Sequence, residues 1–122
     1  MELPGIHPTE INQDIEYSRS IGELKAWISN HLDERHSLRS LSGRAGMSIT
    51  RMQRLFKDIY GCSIFAYIRF ERLIRAQKQL EVTAMNIKSI SAEAGYSSVP
   101  AFTAAFHLKF GHTPGRFRKG AR

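Results

Sequence analysis

The chain has 122 residues, enough for one domain or for two very small lobes that share a connector. An apolar fraction of 42% supports a packed core. The chain lacks both the run of about 18 apolar residues that a membrane span needs and the basic and apolar regions of a signal peptide at its Met-Glu-Leu-Pro-Gly start. The net charge of +7 is divided unevenly: residues 1–36 carry three basic and seven acidic groups, residues 37–122 fifteen basic and four acidic.

In chain order, residues 1–19 hold Pro4, Gly5 and Pro8 with weak periodicity and read as a mobile leader or the end of a linker. Ser20-Ile21-Gly22-Glu23 has the form of a capping box. Ile21, Leu24, Ile28 and Leu32 follow at helical spacing with Trp27 beside them, so the first helix is expected near 20–33. Ser37 can cap a second helix with Leu38, Leu41 and Ala45 inward, and Gly46 can end it in the left-handed conformation. Ser48 can cap a third helix, with Met52, Leu55, Phe56 and Ile59 as its buried stripe and Thr50, Gln53, Arg54 and Lys57 opposite.

Gly61 ends that helix, and Ser63 to Leu80 reads as one long helix. One stripe is Ala66, Phe70, Leu73, Ala76 and Leu80, while Ile64, Ile68 and Ile74 lie on other faces, as in a helix packed on more than one side. After a break, Asn86 can cap a fifth helix and Gly95 can repeat the role of Gly46. A sixth helix starts at Ser97 or Ser98, with Pro100 tolerated in its first turn and Phe102, Ala105 and Phe106 inward. Gly111 ends it, and Thr113-Pro114 opens a last short helix with Phe117 inward and Arg116, Arg118 and Lys119 outward. No strand pattern of any length is visible, so the expected class is all-α.

The chain carries one pattern twice. Leu38-Arg39-Ser40-Leu41-Ser42-Gly43-Arg44-Ala45-Gly46-Met47-Ser48 lies over Ile87-Lys88-Ser89-Ile90-Ser91-Ala92-Glu93-Ala94-Gly95-Tyr96-Ser97 at an offset of 49. With one residue inserted, Phe56…Gly61-Cys62-Ser63 falls on Phe106…Gly111-His112-Thr113 at an offset of 50. The repeated unit reads as a helix-turn-helix. The basic charge sits with the repeats, as a footprint for phosphate requires, although a solvated basic surface is the commoner cause of such a bias.

These residues resemble the DNA-binding domain of the AraC/XylS-type bacterial transcriptional regulators. The likeness rests on Ala45-Gly46-Met47-Ser48, Gln53-Arg54-Leu55-Phe56, Tyr67-Ile68-Arg69, Glu71-Arg72-Leu73, Ala76, Ile90, Gly95-Tyr96-Ser97-Ser98, Phe102, Phe106, Phe110-Gly111, Thr113-Pro114 and Phe117-Arg118, and covers about residues 20–119. It implies seven helices in two helix-turn-helix lobes joined by a long central helix. The expected organisation is a leader over 1–19, a first lobe over 20–62, a connecting helix over 63–81, a second lobe over 82–119 and a tail over 120–122. The third and sixth helices would enter successive major-groove segments, about 34 Å apart on one face of the duplex, so that one monomer reads an asymmetric site.

The expected DNA-facing residues are Ser48, Ile49, Thr50, Arg51, Gln53, Arg54 and Lys57 in the first lobe, and Ser98, Val99, Ala101, Thr103 and His107 in the second, with Arg116 and Arg118 beyond. Gln pairs naturally with adenine and Arg with guanine, which makes Gln53 and Arg54 the expected base readers. The family often has Arg in the sixth helix where this chain has Ala104, and Thr103 stands where Gln53 stands in the third. The sixth helix therefore offers no Arg, Asn or Gln fork to the groove, and the second lobe is expected to discriminate less sharply.

His31, His36, His107 and His112 are not joined by Cys or carboxylate at ligand spacing, so neither a metal nor a cofactor is expected. Trp27, Phe56, Phe102 and Phe106 read as core. The lone Cys62 fits a reducing cytosol and reads as a small filler, against a catalytic or alkyl-accepting thiol. The expected function is sequence-specific binding of promoter DNA by a cytoplasmic, nucleoid-associated bacterial regulator, an activator meeting RNA polymerase and not an enzyme. The rival is a basic helical adaptor for acidic protein partners. The family usually adds an N-terminal sensing domain. The chain is thus either a single-domain regulator or the C-terminal part of a larger protein, and the linker-like residues 1–19 favour the latter.

Overall fold

The structure, a computed structural model, describes the backbone of residues 8–121 and the side chains of residues 13–121. Seven helices follow one another, with no strand among the described residues: α1 (Pro8–Ser29), α2 (Leu38–Ala45), α3 (Ile49–Tyr60), α4 (Ile64–Val82), α5 (Ile87–Glu93), α6 (Val99–Phe110) and α7 (Pro114–Gly120). None of the described helices is long and apolar enough to cross a membrane. The chain divides into two compact units, and the boundary falls inside α4, between Tyr67 and Ile68.

The first unit buries Ile21, Leu24 and Ile28 of α1, spaced i, i+3, i+7, with Leu41 and Ala45 of α2, Met52 and Phe56 of α3, and Ile64 and Tyr67 from the start of α4. Phe56 meets Tyr60 at 4.9 Å and Tyr67 at 5.7 Å between ring centroids. Tyr67 in turn shares a hydrogen bond with Ser29.

Two expectations for this unit are corrected. Helix α1 starts at Pro8 rather than Ser20, so residues 8–19 are helical and Ser20 is mid-helix without a capping box. Proline is tolerated in a first helical turn, where its missing N–H has no intrahelical partner to lose. The added turns gain a tertiary anchor, because the Arg51 guanidinium lies over the Tyr17 ring at 4.6 Å. The part of the leader over 1–7 lies outside the described residues. Helix α1 also ends at Ser29 rather than near 33. There, Ser29 Oγ donates to the Lys25 carbonyl, Asn30 Nδ2 donates to that of Ala26, and His31 Nδ1 lies 2.7 Å from that of Trp27. The side chains of Asn30 and His31 thus meet the Ala26 and Trp27 carbonyls that a longer helix would have used.

The turn chemistry repeats. Ser37 caps α2 and Ser48 caps α3; Asn86, Ser98 and Thr113 cap α5, α6 and α7. After α2, Gly46 has φ +70° and the Met47 N–H donates to the Ser42 carbonyl at 3.2 Å. After α5, Gly95 has φ +89° and the Tyr96 N–H donates to the Ser91 carbonyl at 3.1 Å. This is the same helix-ending turn, built twice at the spacing of the repeat.

In the second unit Leu73, Ala76 and Leu80 of α4 pack with Ile90, Ala94, Phe102 and Phe106, and Tyr96, Phe110 and Phe117 close the cluster. The aromatic chain runs through Phe102–Phe106 at 5.7 Å and Phe106–Phe110 at 4.6 Å. Of the residues expected on the other apolar faces of α4, Ile64 and Ile68 are buried and Ile74 is exposed; within the expected stripe, Phe70 is only half-buried, beneath the Lys109 ammonium 3.9 Å from its ring centre.

Candidate nucleic-acid interface

Helix α3 is built to present one polar face. Met52 and Phe56 are fully buried, which turns Thr50, Arg51, Gln53, Arg54, Lys57 and Asp58 to solvent. Ser48 is spent locally: its hydroxyl accepts from the Arg51 amide at 3.2 Å and fixes the first turn. Ile49 is exposed. The expected face of α3 is thus brought together on one helix, and Arg51 is held by Tyr17 as well. Ile59 departs from expectation. It is 43% exposed, because Tyr60 takes the inner position of the last turn against Phe56.

Helix α6 has the same frame and a different surface. Ser98 caps it through the Ala101 amide, and Phe102 and Phe106 are fully buried. Of the residues expected to face DNA, Ala101 and His107 are exposed, while Val99 and Thr103 are half-buried. Pro100, Ala104, Leu108 and Lys109 are exposed as well, and Leu108 is 89% exposed. Leu108 is not among the residues expected on this helix, because a leucine in a helical pattern has the same sequence signature whether it packs inside or stands outside. Its position, four residues after Ala104, was the available signal.

The last two candidates separate. Arg116 is exposed on α7. Arg118 is half-buried instead of outward: its Nε donates to the Leu80 carbonyl at 3.2 Å and its Nη2 to the Thr83 carbonyl at 3.3 Å. Those are carbonyls at the C-terminal end of α4, where a cation also meets the negative end of the helix dipole. Trp27, expected in the core, is half-buried at its margin, stacked on His31 at 4.1 Å with the Arg44 guanidinium 3.8 Å from its ring centre.

The charge follows the same division. Residues 1–67 hold eight basic and eight acidic groups, residues 68–122 ten basic and three acidic. Two ionisable groups near the second turn depart from their ordinary values. Burial, and then the charge of Arg75, lowers the pKa of Arg72; burial raises that of the Tyr96 phenol, with the Arg69 charge opposing. No three His, Cys, Asp or Glu side chains gather as metal ligands among the described residues.

The helix-turn-helix domain family matches residues 41–120 of the chain. The transcriptional regulator Rob of Salmonella typhimurium is 38% identical over 101 residues, which are 83% of this chain and 35% of Rob. The probable transcription factor PqrA of Proteus vulgaris is 32% identical over 101 residues, 81% of this chain and 83% of PqrA. The chain belongs to the AraC/XylS-type transcriptional regulators. It spans about a third of the length of the Rob-type regulators that it matches and most of the shorter PqrA. Among solved AraC/XylS-type domains, the DNA-binding domain of AdpA in complex with a target DNA superposes with a TM-score of 0.76 at 26% identity, covering 84% of this chain and 92% of that one. The double helix-turn-helix fold of the family therefore accounts for both repeats.

Proposed function

We propose that the chain binds double-stranded promoter DNA sequence-specifically, with α3 and α6 in successive major-groove segments, as a monomer on its site. The observation that carries this reading is the polar outer face of α3, where Thr50, Gln53, Arg54 and Lys57 stand free of the core beside a buried Met52 and Phe56. Gln53 and Arg54 supply forked hydrogen-bonding groups for base edges. Arg51 and Lys57, with Arg116 in the second unit, supply phosphate contacts. The target DNA bound by the AdpA domain supports the same use of this fold. In the cell the protein acts in the bacterial cytoplasm, at the nucleoid, as an activator that offers RNA polymerase a surface beside the promoter.

The test is titration of selected duplex DNA at two salt concentrations, after selection of bound sequences from a random pool. The expected outcome is one chain per site of about 20 base pairs, two turns of duplex. Affinity should fall steeply with salt, by about 0.9 in log–log slope for each neutralised phosphate. A salt-insensitive affinity with no enriched sequence would instead favour a basic adaptor for acidic protein partners.

A further inference from the structure

The offset of 50 residues that relates the two reader helices pairs one outward row on each. On α3 the row Arg51, Arg54 and Asp58, spaced i, i+3, i+7, is charged at every position and exposed. On α6 the paired row is Ala101, Ala104 and Leu108, apolar at every position and also exposed. We propose that this row of α6 reads thymine C5-methyl groups, with Leu108 as the specificity-determining residue, so that the half-site it faces is defined by thymine methyls in place of hydrogen-bonded purines. The proposal rests on the DNA-binding reading above.

Three observations support it. Leu108 is 89% exposed and contributes nothing to the fold that would explain a large apolar side chain there. Ala101 and Ala104 are small, which lets the helix backbone come close to a groove floor. Of the features that base pairs present in the major groove, the thymine methyl is the one that an apolar side chain recognises directly. The occupant is DNA because the surroundings are cationic. The unit that carries this uncharged row has a net charge of +7 over residues 68–122, and Lys88, Arg116 and Lys119 are exposed on its other helices. Phosphate contacts from such flanking groups would position the duplex and leave the reading to the apolar row.

The experiment uses the full chain and its selected duplex. Each thymine is replaced singly by deoxyuridine, which removes the methyl and keeps every hydrogen-bonding group. The wild type should lose about fourfold in affinity for each buried methyl removed, at one or two positions confined to one half of the site. Leu108→Ala should abolish that loss, bind thymine and deoxyuridine alike in that half-site, and melt as the wild type does. Arg54→Ala should keep the deoxyuridine effect while flattening preference in the other half. Specific binding that is blind to deoxyuridine in the wild type overturns this proposal alone. So does a Leu108→Ala protein that still distinguishes thymine from deoxyuridine, which would leave the row to a protein partner. A chain with no sequence-specific binding at all overturns the DNA-binding reading and this proposal together.

Discussion

Arg118 of α7 donates from its Nε to the Leu80 carbonyl at 3.2 Å, across 38 residues of chain. A second donation, to Thr83, closes the C-terminal end of α4. A group that the sequence offers as a phosphate contact is therefore engaged in holding two helices of one unit together. Arg118→Ala should lower stability by about 1–2 kcal/mol, the scale of a charge-assisted hydrogen bond to a half-exposed group. Arg116→Ala, at an exposed position, should leave melting unchanged, weaken binding to all sequences alike and reduce the salt slope by about 1. Thermal melting and salt titration of the two variants separate these roles. Equal melting with a reduced salt slope for Arg118→Ala would return it to the DNA surface.

The aromatic cores should set the stability of each unit. Phe56 and Phe106 are both fully buried. Phe56→Ala and Phe106→Ala should each cost about 3–5 kcal/mol in urea unfolding, as large core truncations do.

The two turn glycines should differ in their tolerance. Gly46 and Gly95 both have positive φ, which a β-branched residue resists. A Cβ at Gly95 would also lie 3.1 Å from Arg72 Nη1, whereas one at Gly46 meets open space. Gly95→Val should therefore be more destabilising than Gly46→Val in the same unfolding assay. The reverse order would mean that the Arg72 side chain yields freely.

Tyr17 should act through Arg51. Their cation–π contact at 4.6 Å is of the exposed kind, contributing about 0.5–1 kcal/mol. Tyr17→Ala should weaken DNA binding about two- to fivefold, Tyr17→Phe should retain it, and the loss should vanish in an Arg51→Ala background. Additive losses in that double-mutant cycle would separate the two residues.

The parts of this fold legible in the sequence are those set by local chemistry. Gly46 and Gly95 mark their turns because left-handed backbone favours glycine, and Ser37, Ser48 and Asn86 mark helix starts because their side chains accept from amides three residues on. What escaped depends on distant partners. Ser20-Ile21-Gly22-Glu23 has the form of a helix start but lies inside α1, whose earlier turns are anchored by Tyr17 on a residue 34 positions away. Arg118 looked outward because nothing near it in sequence reveals the end of α4. The face of α3 was legible because its polar spacing and its buried spacing agree. The face of α6 was only half legible, since an apolar residue such as Leu108 has the same sequence signature whether it packs inside or, as here, stands outside.

On the proposed function, one chain holds two readers of unlike chemistry. This is tested most directly by a base-by-base substitution scan of the selected site with the wild type and with Arg54→Ala. Single substitutions should cost about 1–3 kcal/mol in one half-site, which Arg54→Ala flattens, beside a half-site of weaker preference that the same variant leaves intact. An unchanged profile for Arg54→Ala, or sharper discrimination in the half-site that the variant does not touch, would contradict it.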